Sequence, residues 1–264
     1  MVLLAALSGC RHSAAPSGNG QVRPSVHIAV PHNLNEMVRF SASLANAFDT
    51  VPVISVLDSV RTGKESLDEF SELAGQVWND PNSPLRNDEF YIPVLNAKIA
   101  SGFYDEASVT RLEYQVRLMS QNRLGRKAND IVYTEKDGST GYLYRLDSEY
   151  TLVYFNNPGC EMCSQLTSDL KNSMLISALV DNGLMKILSV YPDEDLDEWN
   201  SHYDEQPSSW IRCYDKGCRI REMGTYSLEA IPSLYLLDRN RRVIVKDASD
   251  LRQIEIALSQ NLGQ

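Results

Sequence analysis

Beyond its first few residues, the sequence has no long hydrophobic run; nothing there approaches the ~18 apolar residues of a membrane-spanning helix. A basic stripe is also missing. The 25 Lys and Arg stand against 35 Asp and Glu, a net charge of -10, which argues against a nucleic-acid partner held through its phosphates. Histidine is scarce: His12, His27 and His32 precede the expected folded region, and His202 reads as a surface helix residue. No Gly-rich phosphate loop and no Ser/His/Asp arrangement appears. Acidic runs such as Asp193-Glu194-Asp195 read as solvated loops. Cysteine is sparse too, but its five positions are patterned: Cys10 alone, Cys160 with Cys163, and Cys213 with Cys218.

What is present is the composition of a globular protein, 43% hydrophobic and 23% charged, long enough for two small domains. The stretch Thr151 to Cys163, TLVYFNNPGCEMC, joins an apolar run to the turn Asn156-Asn157-Pro158-Gly159 and then to helical spacing. It reads as a buried strand feeding a helix whose first turn carries Cys160 and Cys163. Unpaired N–H groups at a helix N-terminus favour an anion, so Cys160 is placed to attack as thiolate, with Cys163 one turn on to resolve a mixed disulfide.

Near the N-terminus, Val2 to Leu7 is a short apolar run, and Leu7-Ser8-Gly9-Cys10 resembles the lipobox of bacterial lipoprotein signal peptides. The resemblance implies cleavage before Cys10 and lipidation of its sulfur. The run is shorter than a normal secretory segment and no Lys or Arg precedes it, as expected of a truncated signal peptide. We therefore expect a signal peptide over 1–9 and a Ser/Ala/Gly/Pro-rich linker over 10–33. The protein would be lipid-anchored in a bacterial cell envelope, facing the periplasm or the cell exterior, in a compartment where disulfides persist.

From Leu34 the pattern turns helical. Leu34, Met37, Val38, Ser41, Leu44, Ala45 and Phe48 form one face; Leu67, Phe70, Leu73, Ala74, Val77 and Trp78 a second; Val109, Leu112, Val116 and Met119 a third. Residues 87–100 are expected to be helical with a kink or late start at Pro93. Residues 34–121 thus read as a small all-α domain. Over 122–264 the period changes: a hairpin around the Asp137-Gly138 turn, strand 152–155, a helix from Cys160 to about Val180, strand 185–190, a helix near 195–203, strands near 210–214, 233–238 and 243–245, and a helix over 249–262. Strands alternating with helices indicate an α/β sheet with covered faces.

Several parts in order now carry a family. Gly125 to Asp130 ahead of the hairpin, Cys160-Glu161-Met162-Cys163 at a helix start, Ala230-Ile231-Pro232-Ser233 before Leu234 to Asp238, and the terminal hairpin and helix together resemble the thioredoxin-like TlpA/ResA class of membrane-anchored thiol–disulfide oxidoreductases. The resemblance implies a thioredoxin-like fold, a central mixed sheet flanked by helices, here preceded by the all-α domain. It implies a cis Ile231-Pro232 peptide facing the two sulfurs, on whose backbone edge an extended substrate can lie. It also implies protein or peptide thiols and disulfides as substrates, a membrane-embedded thiol reductant as partner, and no cofactor beyond the redox-active disulfide. The chain departs from the pattern in having Pro158-Gly159, not an aromatic residue, before Cys160, and no proline within the helix after Cys163. Glu161 beside Cys160 disfavours a neighbouring thiolate and so makes a weaker oxidant, which suits reduction of disulfides.

Cys213 and Cys218 flank Tyr214-Asp215-Lys216-Gly217. A structural disulfide closing a short hairpin is the first reading, a second redox pair another, and a four-thiolate zinc site a third. For the whole chain, the alternative to an enzyme is a non-catalytic thioredoxin-fold binding module or structural envelope lipoprotein.

Overall fold

The computed structural model describes residues 28–46 and 48–262. Five helices come first: α1 (Leu34–Ser43), α2 (Val51–Val60), α3 (Lys64–Ala74), α4 (Asp88–Ala100) and α5 (Glu106–Met119). The first stripe is cut short. Helix α1 stops at Ser43 and buries Met37 and Phe40, leaving Leu34, Val38 and Phe48 exposed. Helix α2 has no counterpart among the sequence expectations, although Val53, Val56, Leu57 and Val60 recur at helical spacing and are buried. Helix α3 runs into a π-helical turn, Gly75–Asn79, in which the Asp80 N–H reaches back to Gly75 O at 3.0 Å. Helix α4 passes through Pro93 without a late start, because Asn87 caps it by accepting the Glu89 N–H and Phe90, Val94 and Leu95 are buried.

These helices close a core of Met37, Val56, Leu67, Phe70, Trp78 and Phe90 among others. Asp68 fastens its rim: Lys64 Nζ lies 2.5 Å from Oδ2, and Lys98 Nζ and the Tyr104 hydroxyl lie 3.0 and 2.5 Å from Oδ1. Partial burial alone would raise the Asp68 pKa, but hydrogen bonds from Lys64, Tyr104 and Lys98 outweigh it and hold the carboxyl well below its usual range. A lowered carboxyl pKa contributes stability above the unfolded-state value and loses it as the pH falls through the folded value. Asp68→Asn should therefore cost about 1 kcal/mol at pH 7, a value kept small because the group is a third exposed and solvent-screened. In paired urea titrations the gap from wild type should narrow below about pH 4; a gap independent of pH would contradict this.

The remainder builds one seven-stranded sheet. Its strands are β1 (Val132–Glu135), β2 (Thr140–Tyr142), β3 (Tyr150–Phe155), β4 (Met185–Tyr191), β5 (Ile211–Tyr214), β6 (Ser233–Leu237) and β7 (Val243–Ala248), ordered β2-β1-β5-β4-β3-β6-β7. Strands β3, β4 and β5 are parallel, and every other pairing is antiparallel. Residues 152–155 read as a continuous apolar run because both faces are covered. Leu152 and Tyr154 meet α6 (Glu161–Asn172), α7 (Met174–Asp181) and α10 (Leu251–Leu262), while Val153 and Phe155 meet Ile131, Leu143, Ile220 and Tyr226 on the other side. The single helix expected over 160–180 is two. Ser173 leaves helical geometry and accepts the Ile176 N–H at 3.2 Å, capping α7, so a serine makes the break. Two short helices complete the fold, α8 (Leu196–Ser201) and α9 (Arg219–Met223). Among the described residues no helix is long and apolar enough to cross a membrane.

Candidate active site

The parallel strands β3 and β4 end side by side, and the loop after β3 carries the Cys-x-x-Cys pair. Gly159 takes a left-handed φ of +70°, which a side chain would strain, and so turns the chain into α6. Cys160 is the N-cap of α6 and is half-buried; its Sγ accepts the Cys163 N–H at 3.4 Å, the geometry in which a helix start favours negative charge on sulfur. Cys163 is buried, and its Sγ accepts the backbone N–H of Asn157 at 3.5 Å. Burial, with hydrogen bonding and charge from Cys160 added, pushes the Cys163 thiol up to about 12 against the opposing Asn157 N–H. One sulfur is therefore reachable and the other held back as a thiol.

The supports of this turn come from distant parts of the chain. The Tyr154 hydroxyl donates to Cys163 O at 2.8 Å, pinning the first turn of α6 to the sheet. The Asn157 side chain donates to Asp193 Oδ2 at 2.9 Å, and Asp193 Oδ1 pairs with Arg221 of α9 at 2.6 Å. Buried Asn156 donates to Ser189 Oγ at 2.8 Å and accepts from Gln206 at 3.0 Å. Reading the sequence missed these residues; the Asn-Asn-Pro-Gly turn is the only local signal that two of them matter. Cys163 borders a cavity of about 180 Å3 shared with Asn157, whose Oδ1 has no partner.

The Ile231–Pro232 peptide is cis, with Pro232 buried. In the β3/β6 register Phe155 pairs with Ser233, so Pro232 lies at the sheet end where the loop to Cys160 begins. Glu161 is exposed on the first turn of α6.

The second cysteine pair needs correction. Cys213 and Cys218 are both free and buried, and no hairpin joins them. The turn after β5 leads into helix α9, so no returning strand forms; Cys218 takes a left-handed φ of 49° at its start, and the Cys213 Sγ donates to Ser189 O at 3.3 Å inside the core. The expected short hairpin is thus absent, its returning strand replaced by α9. Among the described residues no three His, Cys, Asp or Glu side chains gather as a metal-binding group. Cys10 lies outside the described residues.

Comparison with known proteins agrees with this geometry. A thioredoxin-like protein from Bacteroides caccae is similar over 86% of this chain and 83% of its own, with 37% identity and a TM-score of 0.80. The chain belongs to this family of thioredoxin-like proteins. The C-terminal domain of an uncharacterised protein from Bacteroides fragilis shares 44% identity over 52% of this chain and 98% of its own, with a TM-score of 0.51. A conserved protein of unknown function from the same species shares 32% identity over 52% of this chain and 98% of its own, with a TM-score of 0.50. The family described as a domain of unknown function (DUF5106) matches residues 39–122. No curated protein matches the chain.

Proposed function

We propose that the protein is a thiol–disulfide oxidoreductase of the TlpA/ResA type that reduces protein or peptide disulfides in the bacterial cell envelope. In this reading Cys10 carries the lipid anchor and the helical region (34–121) precedes the redox domain (122–264). The observation that carries the proposal is the unequal setting of the two sulfurs, Cys160 half-exposed at a helix N-cap and Cys163 buried with its pKa raised.

The Cys160 thiolate attacks one sulfur of the substrate disulfide, and the other sulfur leaves as a thiolate and takes up a proton. Cys163 then loses its proton to water in the adjoining cavity and attacks the Cys160 sulfur. The second substrate thiol is released and Cys160–Cys163 is left oxidised, two electrons having passed to the substrate. A membrane thiol partner returns them. Ile231 and Pro232 offer the edge for the substrate strand, and Glu161 weighs against a strongly oxidising pair.

The test is insulin disulfide reduction by the full chain with dithiothreitol as electron source. Activity lost in Cys160→Ser is the expected result; wild-type protein with a reducible Cys160–Cys163 pair and no activity would favour a binding module. The potential of the pair should lie well below the roughly −120 mV of a dedicated disulfide donor; a value that oxidising would reverse the direction of transfer.

A further inference from the structure

The redox reading gives the helical region no part in the chemistry, yet its contact with the sheet is ionic and buried. Strand β7 is irregular where they meet. Leu234 pairs with Ala248 and Leu236 with Val245, so three steps along β7 match two along β6. The extra residue makes a bulge, and Asp247 within it takes a φ of 54°. A bulge re-aims a side chain. Here the Asp247 carboxylate, 8% exposed, turns inward, accepting the Ser233 hydroxyl on Oδ1 at 2.7 Å and meeting Arg86 Nη2 with Oδ2 at 2.5 Å.

Arg86 stands just before α4, and its side chain is 14% exposed. Ser233 directly follows Pro232 and pairs with Phe155, the last residue of β3 before the loop to Cys160. Neighbouring groups lock the same contact. Lys246 Nζ, half-buried, lies 2.6 Å from Asp88 Oδ2 and donates to the carbonyls of Met119 and Gln121 at 2.6 and 2.7 Å, and Arg123 pairs with buried Glu89. Taking these charges out of water is costly, and apolar contact would join the two regions at less cost. What the ionic arrangement supplies is direction: a fixed carboxylate that orients one hydroxyl beside the substrate edge.

We infer that Arg86 is a positioning residue for the redox site, acting from the helical region through Asp247 on Ser233 to set the edge at Ile231–Pro232. The helical region then controls how well an extended substrate docks and leaves the reactivity of Cys160 alone. Burial already raises the Asp247 pKa and Arg86 opposes it, so without the guanidinium the carboxyl is expected to take up a proton and loosen its hold on Ser233.

This inference rests on the proposed reading of the site, so its test has one readout that needs no activity. Amide exchange is measured in the full chain for wild type, Arg86→Met, Arg86→Lys and Ser233→Ala. The amides of Ser233 and Leu234, at the head of β6, should exchange about tenfold faster in Arg86→Met, a size expected for coupling through a packed network, with α6 and the core of the helical region unchanged. Arg86→Lys should restore part of the protection. Ser233→Ala, which leaves the ion pair in place, should reproduce the Arg86→Met effect and decides the matter if Arg86→Met fails to fold. In the paired assay, KM for insulin should rise about tenfold while the rate with hydroxyethyl disulfide stays within about twofold. Unchanged exchange at Ser233 and Leu234, or faster exchange throughout the sheet and helices, overturns the inference. Loss of both reductions in wild type overturns the redox reading, and exchange then judges the positioning by itself.

Discussion

Cys163→Ser should hold the protein in a covalent complex with its substrate. The reason is the order in which the two sulfurs can act. Burial pushes the Cys163 thiol up, so at pH 7 it stays protonated. The first attack therefore falls to Cys160, which is half-exposed where Cys163 is buried. Once Cys160 is bonded to substrate, its hydrogen bond and charge no longer raise the Cys163 thiol, although burial still does. With serine at 163 the protein has no thiol of its own to resolve the mixed disulfide, so without dithiothreitol the complex should persist, and in the dithiothreitol-driven assay insulin turnover should fall to a small fraction of wild type, limited by attack of dithiothreitol on the complex. A mass increase equal to one substrate chain, removed by dithiothreitol, is the expected signature, with none in Cys160→Ser. An adduct on Cys163 in the Cys160→Ser protein would reverse the roles, and undiminished turnover by Cys163→Ser would dispense with the resolving step.

Trp78→Ala should be the most destabilising single change in the helical region, at about 3–5 kcal/mol. The indole is fully buried, with the rings of Phe90, Phe40 and Phe70 at centroid distances of 5.3, 6.1 and 6.3 Å. Its N–H donates to Ser41 Oγ at 2.8 Å, so truncation also leaves that hydroxyl without its donor. The three rings belong to separate helices and cannot all collapse into the space, which puts the cost at the upper end for large-to-small changes. Urea unfolding followed by far-ultraviolet circular dichroism measures it. A shift equivalent to less than about 1 kcal/mol would mean that the cavity fills and that the aromatic cluster does not hold the region together.

Local chemistry made most of the α/β half legible. A strand, an Asn-Asn-Pro-Gly turn and Cys-x-x-Cys at a helix start are decided by residues next to one another, as are the Asp-Gly hairpin and the terminal strands. Helix α2 carries the same kind of signal and was readable, since its three buried valines and one buried leucine follow helical spacing after Pro52. The break at Ser173 was harder. Serine competes with a helix only when the next turn needs a cap, and a Ser173 hydroxyl that also donates to Glu255 of α10 at 2.6 Å belongs to the tertiary fold.

By itself the sequence determined that Cys160 and Cys163 begin a helix and that a helical region precedes an alternating α/β one, because each follows from periodicity or from neighbours within a few residues. Tertiary structure alone decided that the turn after Cys213 enters a helix at Cys218, since whether a turn returns as a strand or enters a helix depends on what packs beyond it. It also decided that Asn157 N–H meets the Cys163 sulfur and that Arg86 reaches Asp247 across 161 positions of sequence. An ion pair of that span leaves no local pattern: each charge is ordinary where it stands, and only the bulge in β7 and the docking of α4 bring the two together.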